Sequence, residues 1–268
     1  MTSSWVQKVV RPKFLKTVVE RLAFKMATKG DKILSVFDFD ETLIDCDSDD
    51  WILKLCPGGQ VPEWMWEKHR QRHYMEFLEH FLQYLHDNGV TPKHTLEFMA
   101  EAPYTDGMED VLKFIGKNRD KFDCVIASGA NTLFIEATLK ARGLEHAVNR
   151  IDSNHGHVDD KGRIHVWAYH KHVCTICSAD ICKGALLSEY VKEQAQKGVT
   201  YTKVVYVGDG RNDFCPCKGL GCSDVVMPRK GYKLLERIEA LTPENRLKAK
   251  VVPWEQGSDV LAVLESFL

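Results

Sequence analysis

The stretch Ile33-Leu34-Ser35-Val36-Phe37-Asp38-Phe39-Asp40-Glu41-Thr42 decides the fold. Its first five residues make a largely apolar run, short and bulky enough for a strand buried on both faces. Directly behind that run come two carboxylates, Asp38 and Asp40, two positions apart. Delivered by a buried strand, they form a hard-oxygen site suited to magnesium and a nucleophile and acid pair.

Outward from this junction the chain alternates short β-branched runs with helical stretches. Further strands are expected over Cys124 to Ser128, Lys203 to Val207, Asp224 to Met227 and Lys250 to Val252. Helices are expected over Met108 to Lys117, capped by Asp106, over Leu133 to Arg142, capped by Asn131 and closed by Gly143, and over Lys183 to Lys197, stopped at Gly198. The pattern predicts an α/β fold, a Rossmann-like parallel sheet flanked by helices. More than eighty residues separate Phe37 from Cys124, far beyond a simple crossover. The interval is rich in Trp, His, Glu and Leu at helical spacing and reads as a helical cap inserted after the first strand. A small β-hairpin insertion is expected over Ser153 to Trp167, with Asp159-Asp160-Lys161-Gly162 as its turn. The expected division is a basic N-terminal extension over 1–30, a core over 31–45 and 105–268, and the cap over 46–104.

The chain has 268 residues, 44% of them hydrophobic, enough to bury a full core plus an insertion. Its 36 basic and 38 acidic residues leave a net charge of −2, a whole-chain field that argues neither for nucleic acid nor for a polyanionic partner, and no nucleic-acid partner is expected. Residues 1–29 are locally basic, with Lys8, Arg11, Lys13, Lys16, Arg21, Lys25 and Lys29 against Glu20. This stretch could be an extension packed on the core, a membrane-surface helix or an organelle-targeting segment. No run approaches the roughly 18 apolar residues of a membrane span. Nine cysteines without a secretory signal favour reduced thiols and a cytoplasmic setting.

Polar residues useful to a phosphate fall at strand ends, where ligands bind in open parallel sheets. The second strand ends in Ser128-Gly129-Ala130-Asn131, a hydroxyl and helix-start amides able to hold phosphate oxygens. Another ends in Gly208-Asp209-Gly210-Arg211-Asn212-Asp213, which offers further oxygen ligands to a cation held by the first acid pair. Between them Lys183 opens a helix, where its charge can neutralise a transferring phosphoryl group.

These residues resemble the four motifs of haloacid-dehalogenase-type phosphatases. More narrowly, Ser48-Asp49-Asp50, Asn212-Asp213-Phe214-Cys215-Pro216, Pro228-Arg229-Lys230-Gly231-Tyr232 and Val251-Val252-Pro253-Trp254 are similar to the phosphoethanolamine/phosphocholine phosphatases and the related pyridoxal phosphate phosphatases. The resemblance implies that Asp38 takes the phosphoryl group and that Asp40 protonates the leaving oxygen and then activates water. It also implies magnesium held by Asp38, Asp40 through its backbone carbonyl, and Asp209, supported by Asp213, with phosphate bound by Ser128, Gly129 and Lys183. The implied substrate is a small phosphorylated metabolite, phosphocholine or phosphoethanolamine, with pyridoxal 5'-phosphate as the alternative. In the narrower family an Asp facing the substrate's ammonium usually follows the motif-two Ser; here Gly129 stands in its place. Asp49 is then the candidate anion for a cationic headgroup. Trp51, with Trp64, Trp66 and Tyr74, offers a cation-π face or simply the cap's own core.

His170, His172, Cys174, Cys177 and Cys182 supply zinc-compatible ligands within thirteen residues. They read either as a structural zinc site bracing Lys183 or as reduced thiols packed beside it. Cys215-Pro216-Cys217 reads as loop packing. A zinc-braced, non-catalytic interaction protein on the same fold is the reading from another class.

Overall fold

A computed structural model describes residues 29–69 and 74–268. The decisive stretch forms the end of β1 (Lys29–Phe37), at the centre of a seven-stranded sheet among the described residues. β1 lies parallel to β2 (Phe122–Asn131) on one side and to β5 (Val199–Gly208) on the other. Its alternate residues enter opposite cores, Ile33 and Phe37 on one face and Leu34 and Val36 on the other. That two-sided burial is why the run is continuously bulky rather than alternating. The sheet continues through β6 (Val225–Pro228) and β7 (Lys250–Val251), both parallel.

Register brings the site together. Phe37 sits opposite Ile126 of β2 and Val207 of β5, so the residues that follow each strand meet at one level of the carboxyl edge. Beyond that edge the Asp38 N–H donates to the Val207 carbonyl at 3.0 Å, carrying the pairing one residue past the strand.

The other sheet edge differs from the expected hairpin. β3 (Arg150–Val158) runs parallel to β2 from Arg150 to Ser153, then turns antiparallel to β4 (Ile164–Trp167). The hairpin is thus the outer half of a core strand rather than a separate insertion. Its inner half was hidden by polar Arg150 and Asp152, which hydrogen-bond each other at 2.6 Å while Arg150 also reaches Glu193 at 2.7 Å. The turn lies where expected: Asp159 accepts from the N–H groups of Lys161 and Arg163, and Gly162 takes φ +77°.

Between β1 and β2 the chain forms α1 (Ser48–Leu53), α2 (Glu63–His69), α3 (Tyr74–Asp87) and α4 (Pro92–Ala100) before α5 (Met108–Lys117) returns to the sheet. α3 buries Phe77, Leu78, Phe81, Leu82 and Leu85, the stripe that a helix covering a core presents. The insertion leaves and re-enters through two segments lying side by side. Ile44 and Tyr104 form an antiparallel bridge, Asp45 N–H donates to Pro103 and Thr105 N–H to Leu43. Residues 1–28, where most of the expected basic extension falls, lie outside the described residues; Lys29 and Gly30 begin β1.

On the far faces lie α6 (Thr132–Arg142), α7 (Lys183–Gln196), α8 (Phe214–Cys217), α9 (Lys233–Glu239) and α10 (Gly257–Glu265). Asn131 caps α6 through the Phe134 N–H at 3.2 Å and Gly143 closes it in the left-handed region, as the sequence predicts. The expected Asp106 cap of α5 is not formed. Gly107, at φ +76°, occupies the cap position, and the Asp106 carbonyl accepts from the Gly257 N–H at 2.6 Å. The two glycines let α5 and α10 start in backbone contact: a Cβ on Gly257 would lie 2.2 Å from the Gly107 carbonyl carbon. Gly257→Ala is therefore expected to destabilise the fold by about 1–3 kcal/mol or more, as overpacking does. Urea unfolding monitored by circular dichroism would show this, and an unchanged midpoint would contradict it.

Candidate active site

Lys183 is the first residue of α7, and its side chain is completely buried. Its Nζ lies 2.6 Å from Asp38 Oδ2 and 2.8 Å from Asp213 Oδ1. Burial works against the ammonium charge, but the two carboxylates outweigh it and hold the Lys183 pKa above its ordinary value. A lysine so placed is a fixed cation at any physiological pH.

Asp213 is fully committed to this scaffold. Its Oδ1 accepts from Lys183 and from Tyr206 Oη at 2.6 Å; its Oδ2 accepts from the N–H groups of Asp209 at 3.1 Å and Gly210 at 2.9 Å. It therefore shapes the loop that carries Asp209 and positions Lys183.

Asp38, Asp209 and Asp213 each offer a carboxylate oxygen within 4.8 Å of the others. Burial, then the charge of Asp38, pushes Asp209 up to about 8. Burial, then Asp213, also raises Asp38, against the opposing pull of Lys183. Carboxylates crowded this way are a hard-oxygen set whose repulsion a divalent cation relieves, so the residues present fit magnesium. Thr42 Oγ1 donates to Asp209 Oδ1 at 3.3 Å and ties this set back to the loop after β1. The Asp40 carboxylate stands apart from the cluster; its Oδ1 accepts from the Ser48 N–H at 2.8 Å, at the start of α1. Burial, then the neighbouring charge of Asp47, raises the Asp40 pKa well above its ordinary value, which favours the protonated carboxyl.

On β2, Ser128 is wholly buried and its Oγ accepts from the Ala130 N–H at 3.1 Å, leaving the hydroxyl proton to donate. The β2–β3 ladder slips between Ser128 and Asn131, a bulge that lifts Gly129 out of the pairing. A Cβ at Gly129 would meet only Asn212 Nδ2, at 4.0 Å, so a side chain there has room. The Gly129 carbonyl accepts from Asn154 Nδ2 at 2.6 Å, and the same amide donates to Asp180 Oδ2 at 2.6 Å. Asp180 thus stands one amide away from Gly129. Its place beside Gly129 was not legible in the sequence because it depends on β3, which delivers Asn154.

Asp49 is a partly exposed residue of α1 whose Oδ1 is buried without a hydrogen-bond partner. Burial, then Asp40, Asp47, Asp50 and Asp180, raises its pKa well above the ordinary value. Trp51 is placed otherwise than the headgroup reading requires. Its indole N–H donates to the Phe98 carbonyl at 3.1 Å, its ring stacks on Phe98, and Lys54 Nζ already occupies one face at 3.7 Å. Trp66 likewise stacks on Phe77 at 4.4 Å. A cleft of about 700 Å³ opens between α3 and the segment after β4, lined by Met75, Glu79, Trp167 and Asp180 among others.

The expected zinc ligands separate into two groups. His170 Nε2 accepts from the Cys182 N–H at 3.2 Å; His172 Nδ1 accepts from the Cys174 N–H and its Nε2 donates to the Ser178 carbonyl. Both imidazoles are spent on the loop backbone and neither joins the thiols. Cys174, Cys177 and Cys182 do come together, and the fourth member is Cys215, from the segment read as loop packing.

The sheet edge, the Lys183-bridged carboxylates and the inserted helices define a phosphatase of the haloacid-dehalogenase type. A family model described as "Putative Phosphatase" matches residues 33–268, and the chain belongs to that family. It is 38% identical over 235 residues to pyridoxal phosphate phosphatase PHOSPHO2 of Homo sapiens, covering 87% of this chain and 98% of that one. It is 37% identical over 248 residues to phosphoethanolamine/phosphocholine phosphatase of Homo sapiens, covering 91% and 92%. Among solved structures, a phosphoserine phosphatase captured as a phospho-aspartyl intermediate analogue superposes with a TM-score of 0.57 at 20% identity, covering 88% of this chain and 99% of that one; this shows a shared fold. The comparisons place the chain among phosphatases, against the reading of a non-catalytic interaction protein. No helix among the described residues is long and apolar enough to cross a membrane.

Asp209 keeps its proton to about pH 8 in the fold but loses it near the ordinary value of 3.8 when unfolded. The folded state then binds more protons, so this group's contribution to stability falls as pH rises between those values. Magnesium should oppose that loss, giving a small rise in Tm at about pH 6, where protons must be displaced, and a larger one at about pH 8.5. Differential scanning fluorimetry with and without magnesium checks this; a rise that shrinks with increasing pH would contradict it.

Proposed function

We propose that this phosphatase hydrolyses a small phosphomonoester with a cationic head, phosphocholine or phosphoethanolamine, through an aspartyl phosphate on Asp38. The observation that carries the choice of substrate is the unpartnered buried Oδ1 of Asp49 among Asp40, Asp47, Asp50 and Asp180. An ammonium is the ligand chemistry that such an environment lacks. Asp180, held beside Gly129 by Asn154, supplies negative charge close to where the relatives' motif carries an Asp. Pyridoxal 5'-phosphate is the second reading, favoured by the 38% identity to the human pyridoxal phosphate phosphatase.

In this mechanism the substrate phosphate lies against Ser128, the amide of Gly129 and Lys183. Magnesium, when bound by Asp38, the Asp40 carbonyl and Asp209, would supply positive charge that lets a carboxylate approach a dianionic phosphate. Lys183 holds Asp38 by Oδ2 while the Phe39 N–H donates to Oδ1 at 2.7 Å, which fixes the carboxylate plane. An Asp38 oxygen attacks phosphorus as the ester P–O bond breaks, and the proton on Asp40 passes to the leaving alkoxide. Asp40, now a base, removes a proton from water, whose oxygen attacks the acyl phosphate; inorganic phosphate leaves and Asp38 is regenerated. The Ser48 N–H keeps Asp40 oriented for both transfers. The inserted helices over 46–104 serve as the cap that carries Asp49 towards the substrate's far end.

A panel of phosphomonoesters assayed with magnesium tests the reading. Phosphocholine and phosphoethanolamine should exceed pyridoxal 5'-phosphate in kcat/KM, and Asp38→Asn should abolish turnover on all of them. Asp40→Asn should lower kcat by about a hundredfold or more. Asp49→Asn should raise KM for the cationic esters and spare glycerol phosphate. A preference for pyridoxal 5'-phosphate untouched by Asp49→Asn would replace the first substrate class with the second.

A further inference from the structure

Four free cysteines from two separate segments converge directly behind the active site. Cys174 and Cys177 lie in the loop after β4, Cys182 precedes Lys183, and Cys215 lies in α8. Their sulfurs all fall within 4.8 Å of one another. Cys174 Sγ is 3.6 Å from Cys215 Sγ, and Cys182 Sγ is 4.0 Å from it. A tetrahedral thiolate site with zinc–sulfur bonds of about 2.3 Å has sulfur–sulfur edges of about 3.8 Å. We propose that Cys174, Cys177, Cys182 and Cys215 form a structural zinc site that binds the loop after β4 to the segment following Asp213.

Three further features belong to a built site. Backbone N–H groups of Ile176 and Cys177 are hydrogen-bonded to the Cys174 sulfur, and that of Ala185 to the Cys182 sulfur. Such donors offset the negative charge of metal thiolates. Gly184 leaves space for the fourth ligand, since a Cβ there would lie 2.7 Å from Cys215 Sγ. His170 and His172 hold the backbone N–H groups of Cys182 and Cys174, so the two imidazoles fix ligand-bearing residues in place. Soft sulfur ligands in a tetrahedron select zinc over the magnesium suited to the carboxylates nearby.

The placement has a mechanical consequence. Cys182 adjoins Lys183 in sequence, and Cys215 follows Asp213 by two residues. Zinc cross-links the two backbones that carry the Lys183–Asp213 ion pair, and through it sets the position of Asp38.

Full-length protein purified under reducing conditions, loaded with zinc and desalted, should hold one zinc per chain by plasma mass spectrometry. Its cobalt-substituted form should show intense thiolate-to-cobalt charge transfer with tetrahedral d–d bands. Cys215→Ser should lose zinc to a chelator that leaves the unmodified protein loaded, while Cys222→Ser, altered at an exposed thiol outside the cluster, should retain it. If Cys215→Ser does not fold, the cobalt spectrum of the unmodified protein decides. Absence of zinc, iron in its place, a cobalt spectrum without thiolate bands, or equal retention by Cys215→Ser would overturn the assignment. None of these readouts depends on hydrolysis, so they stand apart from the substrate panel.

Discussion

The structure turns on one buried ammonium. Lys183 has no exposed surface and sits between Asp38, directly after β1, and Asp213, in the turn that follows β5 at the carboxyl edge of the sheet. Removing one partner from such a group leaves an uncompensated charge, typically costing about 3–5 kcal/mol. The ion pair therefore requires β1, β5 and the start of α7 to be correctly placed at once. It also fixes the orientation of Asp38, the proposed nucleophile, which is held by Lys183 on one oxygen and by its neighbour's N–H on the other. In the same geometry Asp38 is paired with Lys183 while Asp40 accepts from the Ser48 N–H, so two carboxylates two residues apart have different surroundings and are open to different chemistry.

The remaining motifs of the sequence resolve into braces on that centre. Arg229, after β6, is nearly buried; its guanidinium donates to the Glu41 carbonyl at 2.7 Å and to Asp45 at 2.5 Å, and lies over the rings of Tyr232 and Trp254. Tyr232 Oη in turn donates to Glu41 Oε2 at 2.9 Å. Glu41 itself has φ +51°, the only positive value outside glycine among the described residues. A strained residue persists where its surroundings over-determine it. Here the strain lies immediately after the acid pair, at the turn that leads into the inserted helices.

How much of this was legible in the sequence follows from range. Strands and the acids at their ends were readable because a buried parallel strand is apolar along its length and its polar residues fall at its end, as with Val36-Phe37-Asp38 and Val207-Gly208-Asp209. The Asn131 and Gly143 ends of α6 are local and were equally clear. What escaped was decided by contacts distant in sequence. β3 reads as polar because Arg150 and Asp152 satisfy each other and Glu193. Cys215 joins the thiols of Cys174, Cys177 and Cys182 only once α8 has packed on α7. Asp106 looked like a cap, but its backbone was claimed by Gly257, some 150 residues away. Trp51 looked available for a cation until Lys54, three residues on, filled its face.

The central claim is that Asp38, held by Lys183, becomes covalently phosphorylated and is freed by water. The most direct test is turnover of the preferred phosphomonoester in water enriched in oxygen-18, followed by peptide mass spectrometry. Water attacks phosphorus in the acyl phosphate, so the first label enters inorganic phosphate and the Asp38 carboxyl keeps its own oxygens. The complementary arm decides: with Asp38 pre-labelled by expression in enriched aspartate, acid quench during turnover should recover a phosphorylated peptide containing Asp38, with borohydride reducing that residue alone. A quenched enzyme carrying no phosphoryl group while phosphate release proceeds at full rate, or one modified at another residue, would contradict the account.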